Sequence, residues 1–406
     1  MKNARSLKLM VIYLCLLAFA ILLVVFQSRH EYFLRWRNPI RNIFRMPKMK
    51  GVAGKEAERG ERPNVTAATD RPLSLNKTHP PLKYILVWTV AYGNKTRGYA
   101  EGQSAFKKQH CKVDTCFLTG NRKLLPVNNF DAILFHLRSM NPTDLPAVRS
   151  PHQRWVFFEM ESASYVYQNI NVYNGLFNWT MTYRLDSDIQ DRYGAVLPGH
   201  SPSPPASSSP YTPERNYAKG KTKMAAWFVS NCNAKSGRDD VVKKMKTLMK
   251  IDVYGGCGKL KCTKWGKECY ALLDKHYKFY LSFENSLCTD YVTEKLFEIL
   301  SRHDVVPVVF GLANYTYITP SHSVINVLDF PNVKALVNHL KYLDKNDTAY
   351  NEYFKWKAHY YSTNNWPGLC ELCRKVHQDN TPKVYQNMKQ WFQGQGGCRS
   401  INVPLQ

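Results

Sequence analysis

Residues 277 to 302, YKFYLSFENSLCTDYVTEKLFEILSR, restrict the fold more than any other stretch of the chain. Tyr277 to Phe283 is an apolar run of strand length, and Glu284 to Asp290 is a polar turn. Beyond it, Val292, Leu296, Ile299 and Leu300 recur at i, i+4, i+7 and i+8, which gives one apolar helix face. Thr289 and Asp290 are good N-cap residues, so the pattern predicts Tyr291, Thr293, Glu294 and Lys295 in the first helical turn. A strand that runs through a polar turn into a helix N-terminus is where open α/β sheets hold phosphorylated ligands. Lys295 would add a full charge beside the free N–H groups there. The plainer alternative is a buried strand followed by a solvated helix end with a Glu294–Lys295 surface pair.

The stretches around this unit repeat the alternation. Strand-like runs occupy 224–230, 251–256, 277–284, 305–311 and 323–330, and Arg238 to Lys250 carries Val242, Met245 and Met249 on one helical face. Residues 336–343 and 348–360 also read as helical. Strands alternating with helices imply a parallel sheet with crossovers. Upstream, YILVWTV (84–90), DAILFHL (131–137) and RWVFFEM (154–160) suggest a second such sheet. Residues 198–213, dense in Pro and Ser, mark a boundary or exposed loop.

Eighteen uncharged residues, Leu9 to Phe26, follow a basic start and lack a small-residue cleavage site, so they read as a retained signal anchor. The charge flanking the span does not set its orientation, since Lys2, Arg5 and Lys8 precede it while Arg29, Arg35, Arg37, Arg41 and Arg45 follow it. Six sequons (Asn64, Asn76, Asn94, Asn178, Asn314, Asn346) and ten of the eleven cysteines lie beyond it. Both favour an oxidising, luminal side for the remainder, hence a single-pass type II protein of the Golgi membrane. The net charge of +25 does not imply nucleic-acid binding: ten Lys and Arg against Glu31 place +9 of it in the first fifty residues. The rest is dispersed, without a recognition motif. The expected division is a tail (1–8), anchor (9–26), stem (27–80), first domain (81–215) and second domain (216–406).

The segment FENSLCTDYVTEKL resembles the signature of the α1,3-fucosyltransferases, which move fucose from GDP-fucose to GlcNAc. The likeness runs from about Tyr84 to Cys398 through RWVFFEMES, NWTMTYRLDSDI, AAWFVSNCNAKSGR, DVYGGCG, VVPVVFG and EYFKWK. It implies the α/β GT-B architecture: two Rossmann-like domains facing a cleft, preceded here by the transmembrane anchor and stem.

Such a transfer sets two electrostatic tasks: a proton must leave the attacking hydroxyl, and the departing diphosphate needs stabilising charge. For the second, Ser236-Gly-Arg-Asp reads as an N-cap with Arg238 in the first turn, and the resemblance places Arg238 and Lys295 on the GDP phosphates. A solvated helix residue is the alternative for Arg238. The resemblance further implies that Tyr291 and Glu294 face ribose and fucose, with Glu294 near the developing oxocarbenium charge. Asn285 would bond the nucleotide or its ribose, and Ser230, Asn231, Val253 and Tyr254 could bound the guanine pocket. Glu284 reads as an acceptor for backbone N–H groups in the turn. For the first task, Glu159 and Glu161 end a predicted strand, and alternation would point both the same way. The resemblance puts the base at Glu161, with a pKa raised by partial burial; the alternative has both glutamates capping the next turn. Pro commonly follows the ES pair in the family, whereas this chain has Ala163.

Asp186-Ser-Asp188 matches the D-x-D pattern of metal-dependent glycosyltransferases, but a charged turn after a strand explains it, and the resemblance assigns no metal there. No metal is strictly required, which leaves room for stimulation by Mn²⁺. Cys370-x-x-Cys373 could be half a zinc site, although an oxidising lumen favours disulfides. The resemblance implies that Cys370 or Cys373 pairs with Cys111 or Cys116. The spacing of Cys257, Cys262 and Cys269 is closer to invertebrate and plant enzymes that fucosylate the N-glycan core. The expected partners are thus GDP-fucose, a GlcNAc-containing glycan acceptor on glycoproteins and a membrane, with no nucleic acid. The expected reaction is inverting transfer to O3 of GlcNAc, core before antenna. A silent glycan-binding module and fucosylation of protein Ser or Thr are the competing functions.

Overall fold

The computed structural model describes residues 80–400 apart from 91–92, 97, 202–210, 263–265 and 396. The expected anchor and nearly all of the stem, with Asn64 and Asn76, lie outside the described residues, as does most of the Pro/Ser-rich stretch. Among the described residues no helix is long and apolar enough to cross a membrane.

Six parallel strands form the first sheet: β1 (Lys83–Val87), β2 (Cys116–Thr119), β3 (Ala132–His136), β4 (Arg154–Glu159), β5 (Trp179–Thr182) and β6 (Ile189–Gln190). Their spatial order is β2-β1-β3-β4-β5-β6. The runs AILFH and WVFFE are buried along their whole length, as expected of parallel strands covered on both faces. The short helix α1 (Ser104–Lys108) packs against β2, and the strand connections otherwise consist of loops and 3₁₀ turns.

The second half follows a β7 strand (Ala195–Pro198) and holds β8 (Lys223–Phe228), β9 (Ile251–Tyr254), β10 (Tyr277–Phe283), β11 (Val306–Phe310) and β12 (Ile325–Asn326). These too are parallel, in the order β12-β11-β10-β8-β9. Helices α2 (Arg238–Leu248), α3 (Lys267–His276), α4 (Glu294–Arg302), α5 (Tyr315–Ile318), α6 (Val333–Lys345) and α7 (Asp347–Asn351) surround it. Phe279, Leu281 and Phe283 pack with Val241 and Met245 of α2 and with Leu336 and Leu340 of α6. Tyr280, on the opposite pleat, meets Leu273 of α3 and Ile299 of α4.

The 323–330 run is strand only at Ile325–Asn326, after which Asn326 caps a 3₁₀ turn by accepting the Leu328 N–H. The helix expected over 348–360 divides into α7, a 3₁₀ turn (Glu352–Ala358) and β13 (Tyr360–Thr363). Tyr360 leaves helical geometry because it pairs antiparallel with Pro198, which joins β13 to β7. Gly194 permits this ribbon to lie on α4: a Cβ there would stand 2.4 Å from the Thr363 carbonyl oxygen and 2.5 Å from Phe297.

Beyond β13 the chain returns to the first sheet. Leu369, Leu372, Cys373 and Val376 of α8 (Gly368–Gln378), with Met388, Trp391 and Phe392, enter the same core as Ile85, Phe135, Phe157 and Trp179. Disulfides Cys111–Cys370 and Cys116–Cys373 fasten that return, in agreement with the expected pairing. Both CxxC sulfurs are thereby committed; the nearby Cys116, Cys373 and His377 cluster offers no thiolate to a metal. Cys232–Cys257, Cys262–Cys269 and Cys288–Cys398 complete five bridges. The Cys116–Cys373 bridge spans 257 residues. Its removal as the Cys116→Ala, Cys373→Ala pair is expected to cost about 2–5 kcal/mol. A fall in melting temperature measured by fluorimetry checks this, and an unchanged melting point would contradict it.

Candidate active site

The C-terminal ends of β4 and β10 bring the two halves together. On the second half, the buried Glu284 follows β10 and gathers the turn around itself. Its Oε1 accepts the Thr293 N–H at 2.8 Å and the Thr293 hydroxyl at 3.0 Å, while Oε2 accepts Lys295 Nζ at 3.2 Å. Glu284 is thus the backbone acceptor read from the sequence. Burial raises its pKa, and the Lys295 ammonium opposes that rise. Burial conversely pulls Lys295 down, but Glu284 and Glu294 outweigh it and leave the ammonium above its ordinary value. Glu294 Oε1 stands 3.6 Å from Lys295 Nζ, with its side chain one third exposed.

The helix start differs from expectation. Thr293 is the N-cap, accepting the Lys295 N–H, so Glu294 and Lys295 open α4 while Tyr291 and Thr293 precede it. Cys288 and Thr289 are held in bridges to Cys398 and Leu312, and Asp290 has φ +59°, so these residues cannot begin a helix. Similarly Gly237, at φ +71°, and not Ser236, caps α2; the Ser236 hydroxyl donates to the Glu284 carbonyl instead.

Arg238 is 3% exposed, which removes the solvated alternative. Its guanidinium donates to the carbonyls of Phe283 at 2.7 Å and Asn231 at 2.9 Å. Burial lowers its pKa, with Asp239 and Glu284 opposing. Arg238 Nε and the neighbouring turn's Asn285 Oδ1 are buried without a hydrogen-bond partner among the described residues. Asn231 Nδ2 reaches the Tyr165 hydroxyl at 3.4 Å, and Ser230 Oγ lies 3.5 Å from the Gly256 N–H. Val253 is partly buried against the core on the α2 and α6 side. Tyr254 does not join this group: its hydroxyl is bonded to that of Tyr277 at 2.7 Å within the apolar layer, and Tyr277 donates to Asp252.

On the first half, β4 ends at Glu159, so alternation does not continue to Glu161. Glu159 Oε1 caps the departing turn by accepting the N–H groups of Met160 and Glu161. Glu161 is partly exposed; its Oε1 accepts the Ser162 N–H and the Tyr291 hydroxyl, both at 2.9 Å, and its Oε2 lies 3.6 Å from Arg138 Nη1. The Tyr291 ring is buried edge-on against Tyr183 and Tyr193. The contact thus joins the turn after β10 to the carboxylate after β4.

Other cross-links hold the same junction. Ser162 and Ser164 hydroxyls lie 2.7 and 2.8 Å from that of Ser286. Lys235 donates to the Ser164 carbonyl and sits over the Tyr167 ring at 4.5 Å. Sequence reasoning missed these and Arg138. Arg138, just past the end of β3, had a legible signal, since side chains after parallel strands gather at the cleft. Asp186 is taken by a bidentate pair with Arg184 at 2.7 and 2.6 Å, and Asp188 by Lys383, Tyr385 and the Thr180 N–H. Both D-x-D carboxylates serve the fold.

Two parallel sheets that meet at the ends of β4 and β10, with the buried Arg238 and the half-buried Lys295 on one side and the partly exposed Glu161 on the other, define an α/β protein suited to an anionic, nucleotide-like ligand. The family description "Glycosyltransferase family 10 (fucosyltransferase) C-term" matches residues 218–391, and "Fucosyltransferase, N-terminal" matches 80–194. Alpha-(1,3)-fucosyltransferase C of Drosophila melanogaster is 37% identical over 329 residues, 76% of this chain and 77% of that protein. Glycoprotein 3-alpha-L-fucosyltransferase A of the same organism is 35% identical over 327 residues, 79% of this chain and 62% of that protein. A crystal structure of an alpha1,3-fucosyltransferase with GDP-fucose aligns over 79% of this chain and 96% of its own, at 17% identity and a TM-score of 0.48. The chain belongs to glycosyltransferase family 10, the fucosyltransferases.

Proposed function

We propose that the protein is an inverting GDP-fucose:GlcNAc α1,3-fucosyltransferase of GT-B architecture, anchored in the Golgi membrane with its catalytic part in the lumen. The observation that carries this reading is the Tyr291–Glu161 contact, which sets the carboxylate of one half beside the cationic turn of the other. Glu161 removes the proton from the acceptor O3. That oxygen attacks fucose C1 on the face opposite the diphosphate, and the bond to the phosphate oxygen breaks with its electron pair passing to GDP. A β-linked donor therefore gives an α-linked product in one displacement.

Arg238 and Lys295 take the diphosphate, and the unpartnered Arg238 Nε is a donor that a phosphate oxygen would satisfy. Asn285 has a free acceptor for the nucleotide or its ribose. Asn231 and Ser230 border the base pocket, and Glu294 faces the charge that develops on fucose. Tyr291 is assigned here to orienting Glu161 beside the fucose rather than to binding ribose, and Arg138 stands on the other oxygen of the base. These protein cations replace a metal at the leaving group.

The acceptor favoured is the innermost GlcNAc of an N-glycan. Support for the core position comes from the cysteine spacing around Cys257, Cys262 and Cys269, and similarity to a glycoprotein 3-alpha-L-fucosyltransferase supports a glycoprotein as the acceptor. Incubating the full chain with GDP-fucose, a panel of N-glycans and free LacNAc, then locating the fucose by mass spectrometry, tests this. Fucose on the innermost GlcNAc is the expected product. Fucose only on antennae would replace the acceptor assignment, and donor binding without transfer to any GlcNAc would make the protein a silent module.

A further inference from the structure

Glu159 is fully buried two residues before Glu161. Its Oε1 accepts the Met160 N–H at 3.0 Å and the Glu161 N–H at 2.8 Å, which fixes the backbone from which the Glu161 side chain projects. Its Oε2 has no hydrogen-bond partner among the described residues. An ionised carboxylate so placed is costly, because low-polarity surroundings leave one charged oxygen unsolvated. From the end of β3, His136 Nε2 stands 3.8 Å from Oε1, and its Nδ1 lies 3.0 Å from the Ser139 hydroxyl. Arg138 approaches from the turn after β3, Tyr183 from the loop after β5 and Glu161 from its own turn. From the second half, the Tyr291 hydroxyl reaches Glu161.

We propose that Glu159 is a positioning residue for transfer, holding the Glu161 amide in place and setting a buried carboxyl that can gain or lose a proton directly behind the reacting side of the site. The inference rests on Glu161 being the base. Burial raises the Glu159 carboxyl to about 7, with the Glu161 N–H and Arg138 pulling it down and the Glu161 charge pushing it up. Below that pH a neutral acid lies behind Glu161. Above it a second negative charge appears there and favours movement of the acceptor's proton toward this side of the site. The rate of transfer therefore rises as pH increases through about 7.

Glutamine keeps an oxygen for both N–H groups but cannot ionise. The test is kcat and the KM for GDP-fucose across neutral pH for the full-length wild type, Glu159→Gln, Glu159→Ala and Glu161→Gln, with GDP affinity as a check on folding. Glu159→Gln is expected to keep the wild-type KM and to lose the rate step near pH 7. Glu159→Ala is expected to lower kcat about 10–100-fold at unchanged KM, because the base is no longer held in position. A Glu159→Gln profile superimposable on wild type, step included, would overturn the proposal, and so would a wild-type kcat in Glu159→Ala. If Glu159→Ala fails to bind GDP, the Gln profile decides alone. Retained transfer in Glu161→Gln would instead remove the base itself, a separate outcome.

Discussion

Glu161→Gln is expected to lower kcat about 10²–10⁴-fold, the range that a positioned general base supplies. The amide oxygen can still accept from Ser162 N–H and from the Tyr291 hydroxyl, so the junction between the halves survives. Only basicity is lost. In the proposed mechanism Glu161 belongs to the acceptor half and Arg238 and Lys295 to the donor half, so GDP affinity measured by calorimetry should stay near wild type. A GDP-release assay with acceptor present reads kcat. A variant that transfers fucose at the wild-type rate would take Glu161 out of the mechanism. One that fails to bind GDP would show that the carboxylate holds the fold together.

Lys295→Ala is expected to raise the KM for GDP-fucose and to lower kcat together, since in the proposed mechanism the ammonium meets phosphate charge in both the bound and the departing state. Hydrogen bonds to charged groups are worth about 1.5–3 kcal/mol, or roughly a 10–150-fold loss in kcat/KM. Stability should change as well, because Lys295 is the cation on the buried Glu284. Without it the Glu284 carboxyl, already raised by burial, moves further up. The folded protein then keeps a proton that the unfolded chain releases above the ordinary carboxylate range. Stability of the variant should therefore fall as pH rises above the ordinary carboxylate range, more steeply than in wild type. Melting temperatures at acid and alkaline pH read this directly, and Lys295→Arg should restore most of the loss. An unchanged KM for GDP-fucose would remove Lys295 from the donor site.

The strand–turn–helix unit was legible because its two hydrophobic periods are local, and β10 and the buried face of α4 lie where the pattern puts them. The start of α4 was not. Thr289 and Asp290 are competent caps in isolation, but bridges to Cys398 and Leu312 hold the segment extended, and Thr293 caps instead. The same limit applies to Glu159 and Glu161. Their spacing of two suggests a shared face, yet the strand ends at Glu159, leaving one carboxyl buried and the other partly exposed. For Arg238 the residues alone left a solvated helix position open as the alternative, whereas the carbonyls of Phe283 and Asn231 take its guanidinium inside. Tyr254 ends a strand as expected, but its hydroxyl is used by Tyr277.

By itself, the sequence determined two parallel α/β halves, cysteine-rich and matched to one family, because strand and helix periods and turn chemistry are written in neighbouring residues. Only the tertiary structure decided that the chain's last part, from α8 to Phe392, belongs to the core of the first sheet. It also decided that Tyr291 holds Glu161 and that Glu159 is a buried acid behind it. Those contacts join residues over a hundred positions apart or depend on where a strand stops, and burial and long-range pairing have no local period to read.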